Sequence, residues 1–377
     1  MVITSGIEMA DPKAILDSVF GFQEFRLGQE EIVAAVIMGK NCLAIMPTGG
    51  GKSLCFQLPA LCRTGLTVVI SPLIALMRDQ VRALRALGVE AGALTSANRE
   101  DENEEVFAAL DEGRLRLLYM APERLASGAT LQMLRRYNAT LIAVDEAHCV
   151  SQWGHDFRPD YLRIGELRRA LGVPLAAFTA TADAETRAEI VMRLFDGAHP
   201  EIFLRGFDRP NIHLAFQVKD KPREQILRFA QQRRGQSGIV YCGTRAKTET
   251  LAQALRTAGH AACHYHGGME ADDRREVEIR FQQDDGLIVV ATIAFGMGID
   301  KPDIRWVAHA DLPKSIESYY QEIGRAGRDG AAAETLTLYG SDDIRLRRNQ
   351  IDEGIAPGPR KDSDHGRLNA LLGLAEA

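Results

Sequence analysis

The chain has 377 residues, of which 46% are hydrophobic and 25% are charged, proportions typical of a water-soluble globular protein with room for two domains. The formal net charge of -6 at pH 7 gives no sign of the basic surface that nucleic-acid-binding proteins usually carry. Any interaction with DNA or RNA must therefore be argued from particular residues.

Cysteine usage and hydropathy indicate the compartment. The six cysteines contain no CxxC pair, as expected for reduced thiols. Residues 1–13 lack the apolar core of a secretory signal. The longest uncharged run, Leu287 to Ile299, is too short to span a bilayer. We therefore expect a cytoplasmic protein that does not interact with membranes.

Short apolar runs alternate with helical stretches in two series along the chain. Runs that are apolar on both faces predict parallel strands covered by helices on both sides. The first series is Leu43–Ile45, Thr67–Ile70, Leu115–Tyr119, Leu141–Val144 and Leu175–Phe178. The second is Ile239–Tyr241, Leu287–Ala291, Val307–Ala310 and Thr335–Leu338. The pattern predicts an α/β protein with two domains, 1–206 and 207–340, which are joined near Gly206–Asn211 and followed by a distinct segment, 341–377.

A glycine-rich segment follows the first of these runs. Glycines permit several backbone N–H groups to converge on one anion, and the following helix adds its positive N-terminal dipole. We therefore predict a polyphosphate-binding loop in which Lys52 reaches the β and γ phosphates and the Ser53 hydroxyl binds Mg²⁺. Met46 occupies the position where the usual pattern has glycine, so an ordinary strand-to-helix turn is the alternative. The loop residues are Thr48, Gly49, Gly50, Gly51, Lys52 and Ser53.

Two carboxylates follow the predicted strand Leu141–Val144. Ligand sites of open α/β sheets lie at the carboxyl ends of the strands, so these side chains can share a crevice with the glycine loop. We predict that Asp145 binds Mg²⁺ and that Glu146 orients and deprotonates the attacking water. An acidic, solvated helix start would be the alternative if the glycine loop were absent.

The segment Asp145–Pro159 resembles motif II and the aromatic-rich loop of RecQ-family DNA helicases. Further matches follow in the family's order and extend from about Phe22 to Tyr339. They are Ser71–Met77, Ala121–Leu125, Phe178–Ala182, Ala291–Pro302 and Gln321–Gly330. The resemblance implies two tandem RecA-like P-loop domains, each a mostly parallel sheet flanked by helices.

The resemblance also implies roles for individual residues. Phe22, Arg26 and Gln29 match the family's adenine site. Arg325 and Arg328 match its motif VI, in which a mobile arginine neutralises charge at the γ-phosphate. Because the loop and carboxylates belong to domain one and the arginines to domain two, we expect the ATP site to be completed between the domains.

A polar loop with aromatic residues follows the predicted catalytic carboxylate. Stacking on aromatic side chains stabilises unpaired bases by about 1–3 kcal/mol each with little sequence preference. We predict that Trp153, His155, Phe157 and Arg158 bind single-stranded DNA and report its presence to Glu146. Anchoring of the loop to the core is the alternative. Thr179 and Thr181 match motif III, which the family uses to couple the two sites.

Two other patterns have weaker interpretations. His260, Cys263, His264 and His266 suggest metal ligands, but alternation along a strand directs Cys263 away from His264 and His266. Gly324–Gly330 suggests a dinucleotide loop, but it follows a helical stretch, whereas such a loop follows a strand. We therefore predict neither site.

The residues together with the resemblance imply the motor core of an ATP-dependent DNA helicase, which in this family translocates 3′ to 5′ and acts in repair, recombination and replication. We expect a monomer, associated with the bacterial nucleoid, that acts on single-stranded and partially duplex DNA. The cofactors are ATP and Mg²⁺, with zinc expected only in a C-terminal module of which 341–377 would be the linker and truncated start. The alternatives are an ATPase or translocase without unwinding, an RNA-directed superfamily 2 helicase, and a nucleotide-gated DNA clamp without useful turnover.

Overall fold

The computed structural model describes residues 10–151, 157–206, 209–295, 301–354 and 358–376. The chain forms two compact units, residues 1–207 and 208–377. None of the helices in these ranges is long and apolar enough to cross a membrane.

The first unit is built on a parallel sheet that has helices on both faces. Its helices are α1 (Pro12–Ser18), α2 (Gln29–Ile37), α3 (Leu54–Cys62), α4 (Ile74–Ala86), α5 (Glu100–Asp111), α6 (Gly128–Arg136), α7 (Arg163–Leu171) and α8 (Ala184–Phe195). Its strands are β1 (Cys42–Ile45), β2 (Leu66–Ile70), β3 (Ala91–Leu94), β4 (Leu117–Met120), β5 (Ala139–Val144), β6 (Leu175–Thr179) and β7 (Glu201–Leu204). In the sheet, these strands have the order β3-β4-β2-β5-β6-β1-β7.

The buried strand β1 explains why its sequence is apolar without alternation. Cys42 and Ala44 pack into the apolar core on one face of the sheet, and Leu43 and Ile45 pack into the core on the other face. Successive side chains of a strand point to opposite faces. Both faces are covered, so every position of the strand favours an apolar residue.

The second unit is also built on a parallel sheet. Its helices are α9 (Pro222–Gln231), α10 (Arg245–Thr257), α11 (Ala271–Gln283), α12 (Ile316–Ile323), α13 (Ser341–Glu353) and α14 (Gly358–Glu376). Its strands are β8 (Ile212–His213), β9 (Phe216–Val218), β10 (Gly238–Tyr241), β11 (Ala262–Tyr265), β12 (Ile288–Ala291), β13 (Trp306–His309) and β14 (Ala333–Tyr339). In the sheet, these strands have the order β11-β12-β10-β13-β14-β8, and β9 also pairs with β14.

The start of α12 matters because this helix leads into the segment with the two predicted arginines. The Ser315 side chain accepts a hydrogen bond from the Ser318 N–H (3.2 Å), which satisfies one of the free donors at the helix start. The helix ends at Ile323, immediately before Gly324. The order helix then loop agrees with the argument that Gly324–Gly330 is not a dinucleotide-binding loop.

The structure confirms the predicted fold class. Every apolar run of the two predicted series lies wholly or mostly on a strand, and the largest deviations include β4, which begins two residues later than predicted, at Leu117, and β5 and β14, which begin two residues earlier, at Ala139 and Ala333. All described strand pairs are parallel, so the sheets match the expected architecture.

The segment 341–377 contributes two helices to the second unit. Leu368 and Leu371 of α14 are fully buried in the same apolar core as Val307 and Tyr319. The Arg347 guanidinium of α13 donates two hydrogen bonds to the Leu312 carbonyl, at 3.1 and 2.7 Å. The interpretation of this segment as the start of a zinc-binding module stays a prediction.

An ionic cluster centred on Asp311 also binds α13 to the sheet. Its carboxylate accepts hydrogen bonds from Lys219 (2.9 Å), Lys247 (2.6 Å) and the Gly243 N–H (2.8 Å). Lys219 in turn contacts Asp343 of α13 at 2.7 Å. Burial alone would raise the pKa of Asp311, but the bonds from Lys247, Gly243 and Lys219 outweigh it and lower this pKa to about 2.

Asp311→Asn is therefore expected to lower the free energy of unfolding at pH 7 by about 2 kcal/mol, the equivalent of the pKa difference. Because the folded-state pKa is depressed, this stabilisation is complete above the unfolded pKa of about 4 and is lost as the pH falls through the folded-state value. Urea unfolding of wild type and variant between pH 7 and pH 3 measures the difference. Asp342→Asn, at an exposed neighbour paired with Arg345, is the control. A penalty that stays constant down to pH 3 would contradict the assignment.

Candidate nucleotide-hydrolysis site

The strand order of the first unit brings the predicted catalytic segments to one edge of the sheet. The order β5-β6-β1 places the carboxyl ends of these strands side by side, with Ile45 beside Thr179 and Val144 beside Ala177. The glycine loop follows β1, and the predicted carboxylates follow β5. Both therefore lie at the edge where open α/β sheets bind ligands.

The glycine loop has a conformation that larger residues could not adopt. Gly49 and Gly51 have φ values of +80° and +77°, in the left-handed region. A Cβ atom at Gly51 would lie 2.3 Å from the Gln29 Nε2 atom, and one at Gly50 would lie 2.9 Å from the Pro47 carbonyl oxygen. The loop therefore requires glycine at these positions.

The departure at Met46 has a structural reason. The Met46 side chain is buried in the core, with its Sδ atom 3.9 Å from the Cys55 Sγ atom, and its N–H donates to the Thr179 carbonyl (3.0 Å). Met46 thus extends the hydrogen bonding of β1 beyond its last residue. A large side chain is accommodated there because the position belongs to the core.

Two residues of the predicted adenine site hold the glycine loop. Arg26 Nη1 donates to the Gly49 carbonyl (2.6 Å), and Gln29 Nε2 donates to the Gly50 and Gly51 carbonyls (3.2 Å each). Gln29 Oε1 accepts from the Arg26 N–H at 2.8 Å, which fixes the orientation of the amide. These contacts orient the peptide groups of the loop. A direct contact of Arg26 or Gln29 with adenine stays a prediction.

Phe22, the third predicted adenine contact, is 50% exposed. Phenylalanine is usually buried in folded proteins. An exposed ring in the segment that leads to Arg26 leaves an aromatic face accessible, which agrees with the predicted stacking role.

The Ser53 hydroxyl belongs to a polar network that sequence reasoning missed. Gln80 of α4 donates to Ser53 Oγ (3.2 Å), and Gln57 donates to Gln80 Oε1 (3.4 Å) and to the Tyr119 hydroxyl (3.0 Å). In the sequence, Gln80 is one polar residue of the amphipathic helix α4. That signal is too weak to predict its contact with Ser53. The network holds Ser53 in one orientation beside Lys52.

Asp145 is nearly fully buried at the end of β5. Its N–H donates to the Ile70 carbonyl (2.8 Å), its Oδ1 accepts from the Glu146 N–H (3.0 Å), and its carbonyl accepts from the Tyr161 hydroxyl (3.0 Å). Burial and the charge of Glu146 together raise the pKa of Asp145 to about 7, against the opposing charge of Lys52. A carboxyl group with this pKa is stabilised as the anion by a bound cation.

Glu146 adopts a backbone conformation that is rare for residues other than glycine, with φ +47° and ψ +49°. Such conformations cost about 1–3 kcal/mol and persist when the surrounding structure imposes them. The Cys149 N–H bonds to the Glu146 carbonyl (2.9 Å), and the Asp145 bonds fix the preceding peptide. The Glu146 side chain remains 24% exposed, whereas Asp145 is 4% exposed.

The donor groups fit a hard divalent cation. Mg²⁺ prefers oxygen ligands and is usually bound by one or two protein groups together with phosphate oxygens. The Ser53 hydroxyl and the Asp145 carboxylate are of this type. Within the described ranges, no cluster of three or more His, Cys, Asp or Glu side chains is arranged to hold a metal ion.

A chain of hydrogen bonds joins the predicted motif II to motif III. His148 Nδ1 lies 2.8 Å from Thr179 Oγ1, and Thr179 Oγ1 donates to the Thr181 carbonyl at 3.0 Å. The same His148 atom is 3.3 Å from Glu146 Oε2. His148, Thr179 and Thr181 are all buried. A substitution at Thr179 or Thr181 would therefore alter the position of His148 beside the predicted catalytic carboxylate of Glu146.

The predicted DNA-binding loop is described in part. Trp153 and His155 lie outside the described residues. Arg158 Nη1 donates to the Pro72 carbonyl (2.8 Å), and the Arg158 N–H donates to the Cys149 carbonyl (2.8 Å). Phe157 is partly buried. The end of the loop is therefore attached to the backbone that follows β2 and to the turn that follows Glu146.

In the second unit the predicted arginines lie beside Tyr241. Burial raises the pKa of the Tyr241 hydroxyl to about 12, and the nearby charges of Arg325 and Arg328 act in the opposite direction. This hydroxyl donates to the Phe295 carbonyl at 3.2 Å. Tyr241 therefore contacts the segment Ala291–Pro302 and lies close to the two arginines, a connection that the sequence alone did not indicate.

Sequence comparisons identify the family. Residues 26–190 match the family model of DEAD/DEAH box helicases, and residues 220–330 match that of the helicase conserved C-terminal domain. The chain is 43% identical over 343 residues to the ATP-dependent DNA helicase RecQ of Synechocystis, a match that covers 88% of this chain and 72% of that protein. The chain belongs to the RecQ family of helicases.

A second relative and a solved structure show similarity in sequence and in fold, respectively. The ATP-dependent DNA helicase RecQ of Pasteurella multocida is 49% identical over 364 residues, which are 96% of this chain and 57% of that protein. The chain thus spans less than two thirds of that relative's length. The structure of Mycobacterium smegmatis helicase Lhr bound to ssDNA and AMP-PNP is similar in fold, with a TM-score of 0.70, 22% identity and coverage of 92% of this chain and 51% of that one.

The matched ranges of this RecQ chain contain most of the predicted site residues. The first range includes the glycine loop and Asp145, and the second includes Arg325 and Arg328. Phe22 precedes the first range, and residues 191–219 fall between the two. The roles of the individual residues stay predictions, which the geometry above makes specific.

Proposed function

We propose that this chain is the motor core of an ATP-dependent 3′ to 5′ DNA helicase, which couples ATP hydrolysis to translocation on single-stranded DNA and to duplex unwinding. The main support is the pairing of a sealed Asp145 with a left-handed, partly exposed Glu146 beside Lys52. Relatives at up to 49% identity are named ATP-dependent DNA helicases. We propose that this activity serves DNA repair, recombination and replication, as the family resemblance implies.

In this proposal each residue of the ATP site has one task. Phe22, Arg26 and Gln29 bind adenine, while the loop N–H groups of Thr48 to Ser53 and the Lys52 ammonium bind the phosphates. Mg²⁺, held by Ser53 and Asp145, would neutralise phosphate charge. Glu146 accepts the proton of the attacking water. Arg325 and Arg328 stabilise the charge that develops on the transferred phosphoryl group.

DNA binding is proposed for the aromatic-rich loop, with Trp153, His155, Phe157 and Arg158 as contacts. The bonds of Arg158 to Pro72 and to Cys149 support a role in communication, because both partners are close in sequence to predicted motor segments. The hydrogen bond between His148 and Thr179 would extend this communication from the aromatic-rich loop to motif III. We further propose that the protein acts as a monomer in the bacterial cytoplasm, in association with the nucleoid.

Steady-state ATP hydrolysis by this chain tests the proposal. We expect turnover to be low without nucleic acid and to rise with single-stranded DNA but not with RNA, and we expect Lys52→Ala to abolish it because the loop loses its only lysine. Equal stimulation by RNA would favour an RNA-directed helicase. ATP binding without turnover would indicate a clamp.

Strand displacement separates unwinding from translocation. We expect displacement of a labelled strand from a duplex with a 3′ overhang and none from a duplex with a 5′ overhang. DNA-stimulated hydrolysis without displacement from either substrate would reduce the function of this chain to that of an ATPase or translocase.

A further inference from the structure

Arg209 and Asn211 begin the second unit and bind the loop that contains the two predicted arginines. Arg209 Nη2 donates to the carbonyls of Ala326 (3.0 Å) and Gly327 (2.8 Å), and Arg209 Nη1 donates to that of Gly324 (3.4 Å). One guanidinium thus binds three carbonyl groups of a single short segment.

Asn211 reinforces the same contact. Its Nδ2 donates to the carbonyls of Gly327 and Ala331, at 2.9 Å each, and its Oδ1 accepts from Arg209 Nε at 3.3 Å. Its backbone carbonyl accepts from the Ala333 N–H at 2.8 Å. Both ends of the amide are used, so the orientation of Asn211 is fixed by its neighbours.

The shape of the loop depends on this close approach. Gly327 has φ +55°, and a Cβ atom there would lie 2.5 Å from Asn211 Nδ2 and 2.8 Å from the Ala331 carbonyl oxygen. The Gly327 N–H donates to the Ile304 carbonyl at 2.9 Å. Gly327 is therefore bound through both its N–H and its carbonyl.

The bound peptide groups adjoin Arg325 and Arg328. The Gly324 carbonyl belongs to the peptide group that leads into Arg325, and the Gly327 carbonyl belongs to the one that leads into Arg328. A flexible loop would spread the two side chains over many positions, whereas catalytic groups must be held to within a fraction of an ångström. The planar fork of a guanidinium can hold several carbonyls at once, which a lysine ammonium does with less geometric definition.

We propose that Arg209 and Asn211 are positioning residues for the loop Gly324–Ala331 and that they set the rate of ATP hydrolysis without contacting ATP. The inference rests on the proposed function, because it assigns Arg325 and Arg328 to hydrolysis. It adds residues that lie between the two ranges matched by the family models.

The test compares Arg209→Lys and Asn211→Asp with the wild-type chain under saturating single-stranded DNA. Arg209→Lys keeps the positive charge but removes the planar guanidinium and its several N–H donors. Asn211→Asp keeps the shape of the side chain but removes the two N–H donors of Nδ2. Each variant is expected to lower kcat about 10-fold to 100-fold, as small misplacements of catalytic groups do, with little change in KM for ATP. Arg233→Lys is the control, because Arg233 bonds to the Phe229 carbonyl and pairs with Glu334, outside the loop.

A second comparison separates positioning from general stability. Arg209→Lys is expected to lower kcat by a smaller factor in an Arg328→Ala background than in the wild type, because only Arg325 then remains to be positioned and residues that act through one group are not additive. Equal losses of kcat in both backgrounds, or a lower melting temperature with kcat unchanged, would overturn the inference. Arg328→Ala alone serves as the reference. If kcat of Arg328→Ala were unchanged, both the proposed role of Arg328 in hydrolysis and the positioning role would be wrong. If Arg328→Ala lowered kcat but Arg209→Lys and Asn211→Asp did not, only the positioning role would be wrong.

Discussion

Glu146→Gln is expected to lower kcat for ATP hydrolysis by about 10²–10⁴-fold, the contribution typical of a general base, while ATP binding is retained. Glutamine has almost the same shape as glutamate but cannot accept the proton of the attacking water. The contacts that hold the glycine loop, from Arg26 and Gln29, do not involve residue 146. Single-turnover hydrolysis and fluorescent nucleotide binding measure the two quantities separately.

Glu185→Gln is the matched control for this substitution, because Glu185 is an exposed carboxylate in the first turn of α8. It should behave as wild type. If Glu146→Gln retained full turnover, another group would have to activate the water. If it lost nucleotide binding instead, Glu146 would be needed to form the site.

Arg328→Ala is expected to lower kcat by about 10³–10⁵-fold, the range found for arginines that stabilise the transition state of phosphoryl transfer. ATP affinity should change far less, because charge at the γ-phosphate increases during the reaction and the arginine acts mainly on that increase. Arg328 lies close to Tyr241 in the second unit, so its removal leaves the glycine loop of the first unit intact. Stopped-flow nucleotide binding and single-turnover hydrolysis provide the measurement.

Arg328→Lys separates charge from geometry, since lysine keeps the positive charge but lacks the planar fork. We expect it to recover only part of the lost rate. A variant Arg328→Ala that weakens ATP binding without lowering kcat would show that Arg328 packs the loop and does not act on the transition state.

The central strands of both sheets could be predicted from the sequence because they are buried on both faces and are rich in Val, Ile and Leu. The strands that were missed have other environments. β3 and β7 are the two edges of the first sheet, β11 and β8 lie at the two ends of the second, and β9 pairs with β14. β8 and β9 have only two and three residues, β3 contains Gly92, and in β7 Ile202 and Leu204 are exposed. Their sequences therefore lack the long apolar run that identifies a central strand.

The candidate site also contains features that the sequence predicts and features that it does not. Lys52, Asp145 and Glu146 could be predicted because a glycine loop and a carboxylate pair each follow a strand directly in sequence. The contacts of Gln80 with Ser53 and of Tyr161 with Asp145 could not, since they join residues distant in sequence or on separate elements. The left-handed conformation of Glu146 has no local signal, because glutamate rarely adopts it.

The contact between His148 and Thr179 determines which nitrogen of the imidazole ring carries hydrogen. The Thr179 hydroxyl has one proton, which it donates to the Thr181 carbonyl, so its oxygen accepts from His148. His148 Nδ1 is therefore protonated, and in the neutral ring Nε2 is an acceptor. The Nδ1–H group also faces Glu146 Oε2. Of the two amide residues, asparagine places its NH₂ near the position of Nδ1 and glutamine near that of Nε2, so asparagine alone can substitute for His148 as the donor to Thr179.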